Sequence, residues 1–77
     1  MPAHAAITLQ IENFLRVNER DPSAVANLDR AIVAAGGLPG ILDTNAHTYT
    51  VLIVDSALTA ELLMAVFLRH GFRTRVR

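Results

Sequence analysis

Thr48-Tyr49-Thr50-Val51-Leu52-Ile53-Val54 is the stretch whose reading decides the fold. It is rich in β-branched and aromatic residues, with Tyr49, Val51 and Ile53 opposing Thr50, Leu52 and Val54. Its nearly continuous apolar character predicts a central strand covered on both faces. Asp55-Ser56 follows and supplies helix caps. A helix is expected over 57–70, with Glu61 near its positively polarised start, Arg69 and His70 in its last turn, and Gly71 as its stop. Phe72-Arg73-Thr74-Arg75-Val76-Arg77 then alternates, which places Phe72, Thr74 and Val76 inward and three arginines outward. That pattern suits a strand near a sheet edge, where outward charge discourages pairing with other chains.

Upstream of this unit, Pro39-Gly40 punctuates the segment from Leu38 to Asn45. Ile41-Leu42 starts a short strand there, and Asp43-Thr44-Asn45 reads as a turn. Asp21-Pro22 opens a helix over 22–35, Asp as cap and Pro at the first helical position. Val25, Leu28, Ile32 and Ala35 form its apolar stripe, and Gly36-Gly37 ends it. At the N-terminal end, Ile7, Leu9 and Ile11 alternate with Thr8, Gln10 and Glu12, and Leu15 and Val17 continue the odd-numbered face. Phe14 falls on the polar face of such a strand. Ile7, Ile11, Phe14 and Leu15 also fit helical spacing, so residues 5–18 admit either reading, with the strand favoured. The order strand, helix, strand, strand, helix, strand predicts a ferredoxin-like α+β fold, a βαββαβ sandwich with two helices on one face of an antiparallel sheet. Residues 1–77 make one such domain.

The composition narrows the chemistry. There is no cysteine, so neither a disulfide nor a thiolate metal site is available. All seven basic residues are arginines, four of them (Arg69, Arg73, Arg75, Arg77) in the last nine positions, against seven acids upstream. A net charge of zero argues against bulk attraction to nucleic acid or to an anionic membrane. The longest apolar run, Leu62 to Leu68, falls far short of the ~20 residues that span a bilayer. With no basic segment ahead of an apolar one at the start, the cytoplasm is the expected compartment.

No pattern of catalytic groups stands out. His4, His47 and His70 share no metal-ligand spacing with one another or with a carboxylate. Ser23 and Ser56 sit where helix caps belong, without the turn that exposes a nucleophile. Gly36-Gly37-Leu38-Pro39-Gly40 follows a helix instead of opening one, so it lacks the helix N-terminal amides that cradle phosphate. The RNA-recognition signature of exposed aromatics in central strands is missing, since Tyr49 is the single aromatic there. The expectation is a binding module without enzymatic activity, cofactor or metal.

Self-association follows from the second helix. Leu58, Leu62, Ala65 and Val66 make one face, yet Leu63 and Phe67 lie on a second side and Met64 and Leu68 on a third. A helix packed on a sheet needs one apolar stripe. Leu63, Met64, Phe67 and Leu68 are therefore expected to form the interface of a homodimer or of a contact with a partner protein.

From Phe14 onward the chain resembles an ACT-type regulatory domain. Leu15-Arg16-Val17-Asn18, Pro22, the run from Ala24 to Gly36, and Leu68-Arg69-His70-Gly71-Phe72-Arg73-Thr74-Arg75-Val76 carry the resemblance. It implies a ferredoxin-like fold, pairing of subunits and a small-molecule effector held at the first strand–helix turn. Asn18, Asp21, Ser23 and Val25 match that turn, with Ser23 where the family places glycine. The simpler role for Asp21 and Ser23 is helix capping. A regulatory module is the function this resemblance implies. A stand-alone inhibitor of antitoxin-like or phage type, docking on a larger protein, is the alternative.

Overall fold

The structure is a computed structural model and describes residues 5–77. Four strands and three helices follow in the order β1 (Ala5–Ile11), α1 (Phe14–Arg20), α2 (Ala24–Ala35), β2 (Gly37–Asp43), β3 (Thr48–Ile53), α3 (Ala60–Arg69) and β4 (Thr74–Val76). The strands form one antiparallel sheet in the order β2-β3-β1-β4, which places β3 and β1 centrally and β2 and β4 at the edges. It is a small α+β fold with one more helix than the alternation alone predicts.

The difference arises at Phe14. A strand running on to Val17 would aim Phe14 away from the helical layer. Instead β1 ends at Ile11, whose amide bonds to the His47 carbonyl at 2.7 Å, and the Glu12 amide bonds to the Arg73 carbonyl at 2.8 Å. The chain then turns, Phe14 enters the core, and Leu15 is left exposed. Burying a phenylalanine contributes roughly 1.5–3 kcal/mol, enough to override a local alternation. The rival helical reading of Phe14 and its successors is the correct one, while Ile7 and Ile11 belong to the strand.

α2 matches its expected span closely, but its start differs. Ser23 is the N-cap and makes no side-chain capping bond. Asp21 closes α1, and its carboxylate accepts from the Ser23 amide and hydroxyl, both at 3.1 Å. Gly36 ends α2 in the left-handed region, φ +103°, and its carbonyl accepts from the amides of Val54 and Asp55. That glycine ties the helix end to the exit of β3. α3 begins later than expected, capped by Thr59, whose hydroxyl accepts from the Leu62 amide at 3.2 Å. Asp55 instead shapes the preceding turn through the Ala57 amide.

One apolar cluster joins the layers. Leu9, Ile11, Tyr49, Val51 and Ile53 come from the sheet, Phe14, Ala24, Leu28, Ile32, Leu63 and Phe67 from the helices, and Leu58 and Phe72 from the connections. Phe67 meets Tyr49 edge-on, with centroids 5.4 Å apart. Tyr49 also donates its hydroxyl to the Asp29 carboxylate on α2. Burial, together with that carboxylate, pushes the Tyr49 phenol well above its ordinary range.

Candidate functional site

The described helices all pack on one face of the sheet, against Leu9, Ile11, Tyr49, Val51 and Ile53. Register assigns the other face row by row. Arg75 pairs with Gln10, Gln10 with Thr48 and Thr48 with Asp43, which makes one polar row across all four strands. Thr8 opposite Thr50 comes next, with their hydroxyls 2.9 Å apart, and the Arg77 amide bonds to the Thr8 carbonyl. Ala6, Leu52 and Leu38 follow as an apolar row. Leu52 is 38% exposed while Thr48 on the same face is buried, so the second face of β3 is open chiefly at its Leu52 end, against the expectation of two covered faces. Asp43 lies at the β2 edge with its carboxyl held below the usual carboxylate range, chiefly by the amides of Ala46 and Asn45 and further by the charge of Arg77. The uncovered face therefore runs from arginines at one edge to an ionised acid at the other, with an apolar row beside them.

The edges themselves are poorly suited to strand addition. β2 carries Pro39 and a register break between Pro39 and Leu42, both of which disrupt an edge ladder. β4 is three residues long, carries Arg75 at its centre and is flanked by Arg73 and Arg77, in keeping with its expected edge position.

Three of the grooves among the described residues bear on function. One of about 410 Å³ lies at the end of the sheet, lined by Glu12, Asn13, Leu15, Arg16, His47 and Arg73. A second, about 360 Å³, separates α3 from the start of β4, and a third, about 290 Å³, lies between α2 and α3. Asn13 builds the first. Its side chain donates to the Gly71 carbonyl at 2.9 Å and accepts from the Arg73 amide at 2.8 Å, binding the β1–α1 turn to the α3–β4 turn.

The residues expected to hold an effector do not assemble into a pocket. Asn18 lies exposed on α1, Asp21 and Ser23 form the α1–α2 connection by bonding to each other, and Val25 is half-buried against the core. None of them lines the three grooves. The first strand–helix turn is in fact Glu12-Asn13, several residues earlier than the alternation placed it. The expected interface on α3 is also divided. Leu63 and Phe67 are 0% exposed and belong to the chain's own core, which withdraws them from any partner. Met64 is half-buried, and Leu68 is exposed alongside Leu62, which the sequence placed on the core face. The core stripe of α3 is rotated from the expected one because Leu58 precedes the helix instead of beginning it.

No protein-family model matches the chain, and no curated protein matches it significantly. A solved structure described as "Crosstalk between Cu(I) and Zn(II) homeostasis" shares its fold, with a TM-score of 0.66 over 95% of this chain and 99% of its own at 21% identity.

Proposed function

We propose that this chain is a non-enzymatic, cytoplasmic regulatory or binding module of the ferredoxin-like, ACT-like kind that works as a homodimer, with the uncovered sheet face as its pairing surface. In this reading α1 and α2 together form the first crossover of a βαββαβ plan, interrupted at Asp21-Pro22-Ser23. The observation that carries the proposal is the uncovered face itself, with its apolar row Ala6–Leu52–Leu38 and oppositely charged edges. A twofold axis parallel to the strands sets β4 of one copy over β2 of the other. Arg75 then stands opposite Asp43, since both occupy the same row. The face is complementary to itself, as a twofold interface must be.

The structural neighbour is described in terms of Cu(I) and Zn(II) homeostasis, and the donor set of this chain offers little for either ion. Cu(I) is selected by thiolate and thioether ligands; this chain has no cysteine, and its two thioethers, Met1 and Met64, are far apart in sequence. Among the described residues no three His, Asp or Glu side chains cluster as a metal site.

Sedimentation equilibrium of the wild type, Leu52→Asp and Leu68→Asp tests the proposal. A wild-type dimer at micromolar concentration is expected. Each Leu52 removed from an interface forgoes roughly 1.5–3 kcal/mol, and a twofold dimer loses it twice, so Leu52→Asp weakens pairing by at least about a hundredfold. Leu68→Asp leaves it intact. A wild type sedimenting as an 8.4 kDa monomer overturns the homodimer and assigns the face to a different protein, as for an inhibitor docking on a larger target. Loss of pairing in Leu68→Asp but not in Leu52→Asp moves the interface to α3.

A further inference from the structure

We infer that the groove at the end of the sheet is an oxyanion site, in which Arg16, Arg73 and His47 take the oxygens of a small carboxylate or phosphate. The inference is independent of subunit pairing. It begins with convergence. Arg16 comes from α1, His47 from the β2–β3 loop and Arg73 from the segment leading into β4, and all three line one cavity of about 410 Å³. A cavity of that volume is within the range of small-molecule sites.

The backbone that presents these side chains is held by specific bonds. Arg73 has its amide bonded to the Asn13 side chain at 2.8 Å and its carbonyl bonded to the Glu12 amide at 2.8 Å. The His47 carbonyl accepts from the Ile11 amide at 2.7 Å and from the Gln10 side chain at 3.3 Å. Its φ of +55° and the packing of its ring on Phe14, with centroids 5.4 Å apart, fix where the imidazole stands. Two of the three donors are thus placed by the fold, so only side-chain freedom remains to be lost on binding.

The charge balance in the groove favours an anion. Glu12 is the one acid among the lining residues, against the two guanidiniums of Arg16 and Arg73. Arg16 and Arg73 have no carboxylate partner among the described residues. Each guanidinium offers a planar fork of donors that matches the paired oxygens of a carboxylate or phosphate. Leu15 supplies an apolar wall.

The test is an NMR titration of the full chain with inorganic phosphate and, separately, with succinate, with sodium chloride at matched ionic strength as the control. Saturable shifts at the amides of Asn13, His47 and Arg73 are expected. Arg16→Gln and Arg73→Gln each weaken binding by at least about tenfold, whereas Arg30→Gln, on α2 and outside the groove, changes it less than about twofold. Saturation by phosphate alone assigns a phosphate site, by succinate alone a carboxylate site, and by both a general oxyanion site. Shifts that never saturate, or that chloride reproduces, overturn the inference. So does an Arg30→Gln variant that weakens binding as much as Arg73→Gln, because attraction is then diffuse and the groove has no part in it.

Discussion

Above about pH 10 the folded chain will lose stability through one side chain, Tyr49. The chain contains one tyrosine, no lysine and no cysteine, so Tyr49 is its only side chain that titrates between the histidine range and that of arginine. In the fold its phenol is raised, first by burial in the core and then by the hydrogen bond and charge of Asp29. Unfolded, it titrates near its ordinary value of about 10. The neutral phenol is the form the fold favours, so its contribution is complete below about pH 10. As pH rises past that point the unfolded chain releases a proton that the native chain retains, and stability falls by about 1.4 kcal/mol per pH unit until the native phenol also ionises. For a domain with a margin of order 5 kcal/mol, two pH units remove half of it or more. The assay is urea unfolding at a series of values between about pH 8 and pH 11.5, alongside an ultraviolet titration of phenolate absorbance in the native state. Tyr49→Phe, which costs about 1.5–3 kcal/mol at neutral pH through the lost bond to a carboxylate, will show no slope in that window. A native phenol titrating at about 10, or an alkaline slope that survives in Tyr49→Phe, refutes the reasoning.

Two further substitutions examine how the layers are joined. Phe14→Ala will cost about 3–5 kcal/mol in the same urea assay, as expected for a large buried side chain; a cost below about 1 kcal/mol would mean that Phe14 lies outside the core. Gly36→Ala will destabilise by at least about 1–2 kcal/mol, since a side chain at φ +103° is strained and its Cβ would stand 2.6 Å from the Asp55 Cβ. Gly36→Ala with an unchanged urea midpoint would show that the α2–β2 turn does not require a left-handed residue.

Much of the architecture is legible in residue pattern because it depends on local signals. The stop at Gly36-Gly37, the β-branched run from Thr48 to Ile53 and the arginine-flanked edge strand all lie in the structure where periodicity and turn chemistry put them. The β1–α1 turn is hidden because the decisive bonds are distant in sequence. Asn13 reaches Gly71 and Arg73, and Ile11 reaches His47. Phe14 was the available signal, as a large aromatic on the polar side of an otherwise regular alternation. Following it ends the strand at Ile11 and places Asn13 in the turn and Arg16 on α1, whereas His47 and Arg73 join them only through the tertiary fold. The open sheet face is hidden for a different reason. Thr50 and Leu52 read as ordinary sheet residues whether or not a second layer covers them, so the number of layers is set by where the helices fall. On α3, uniform hydrophobicity leaves the inward stripe undetermined; contact with Tyr49 and Phe72 selects Phe67, and Leu63 enters the core beside it.

The most direct measurement of the central claim, that the uncovered sheet face is the surface this chain uses to pair, is a comparison of amide chemical shifts in dilute and concentrated samples. Concentration-dependent shifts are expected at Ala6, Thr8, Leu38, Thr50 and Leu52, across three adjacent strands, with α3 unaffected. Shifts confined to Leu62, Met64 and Leu68, or none anywhere as concentration rises, would contradict it.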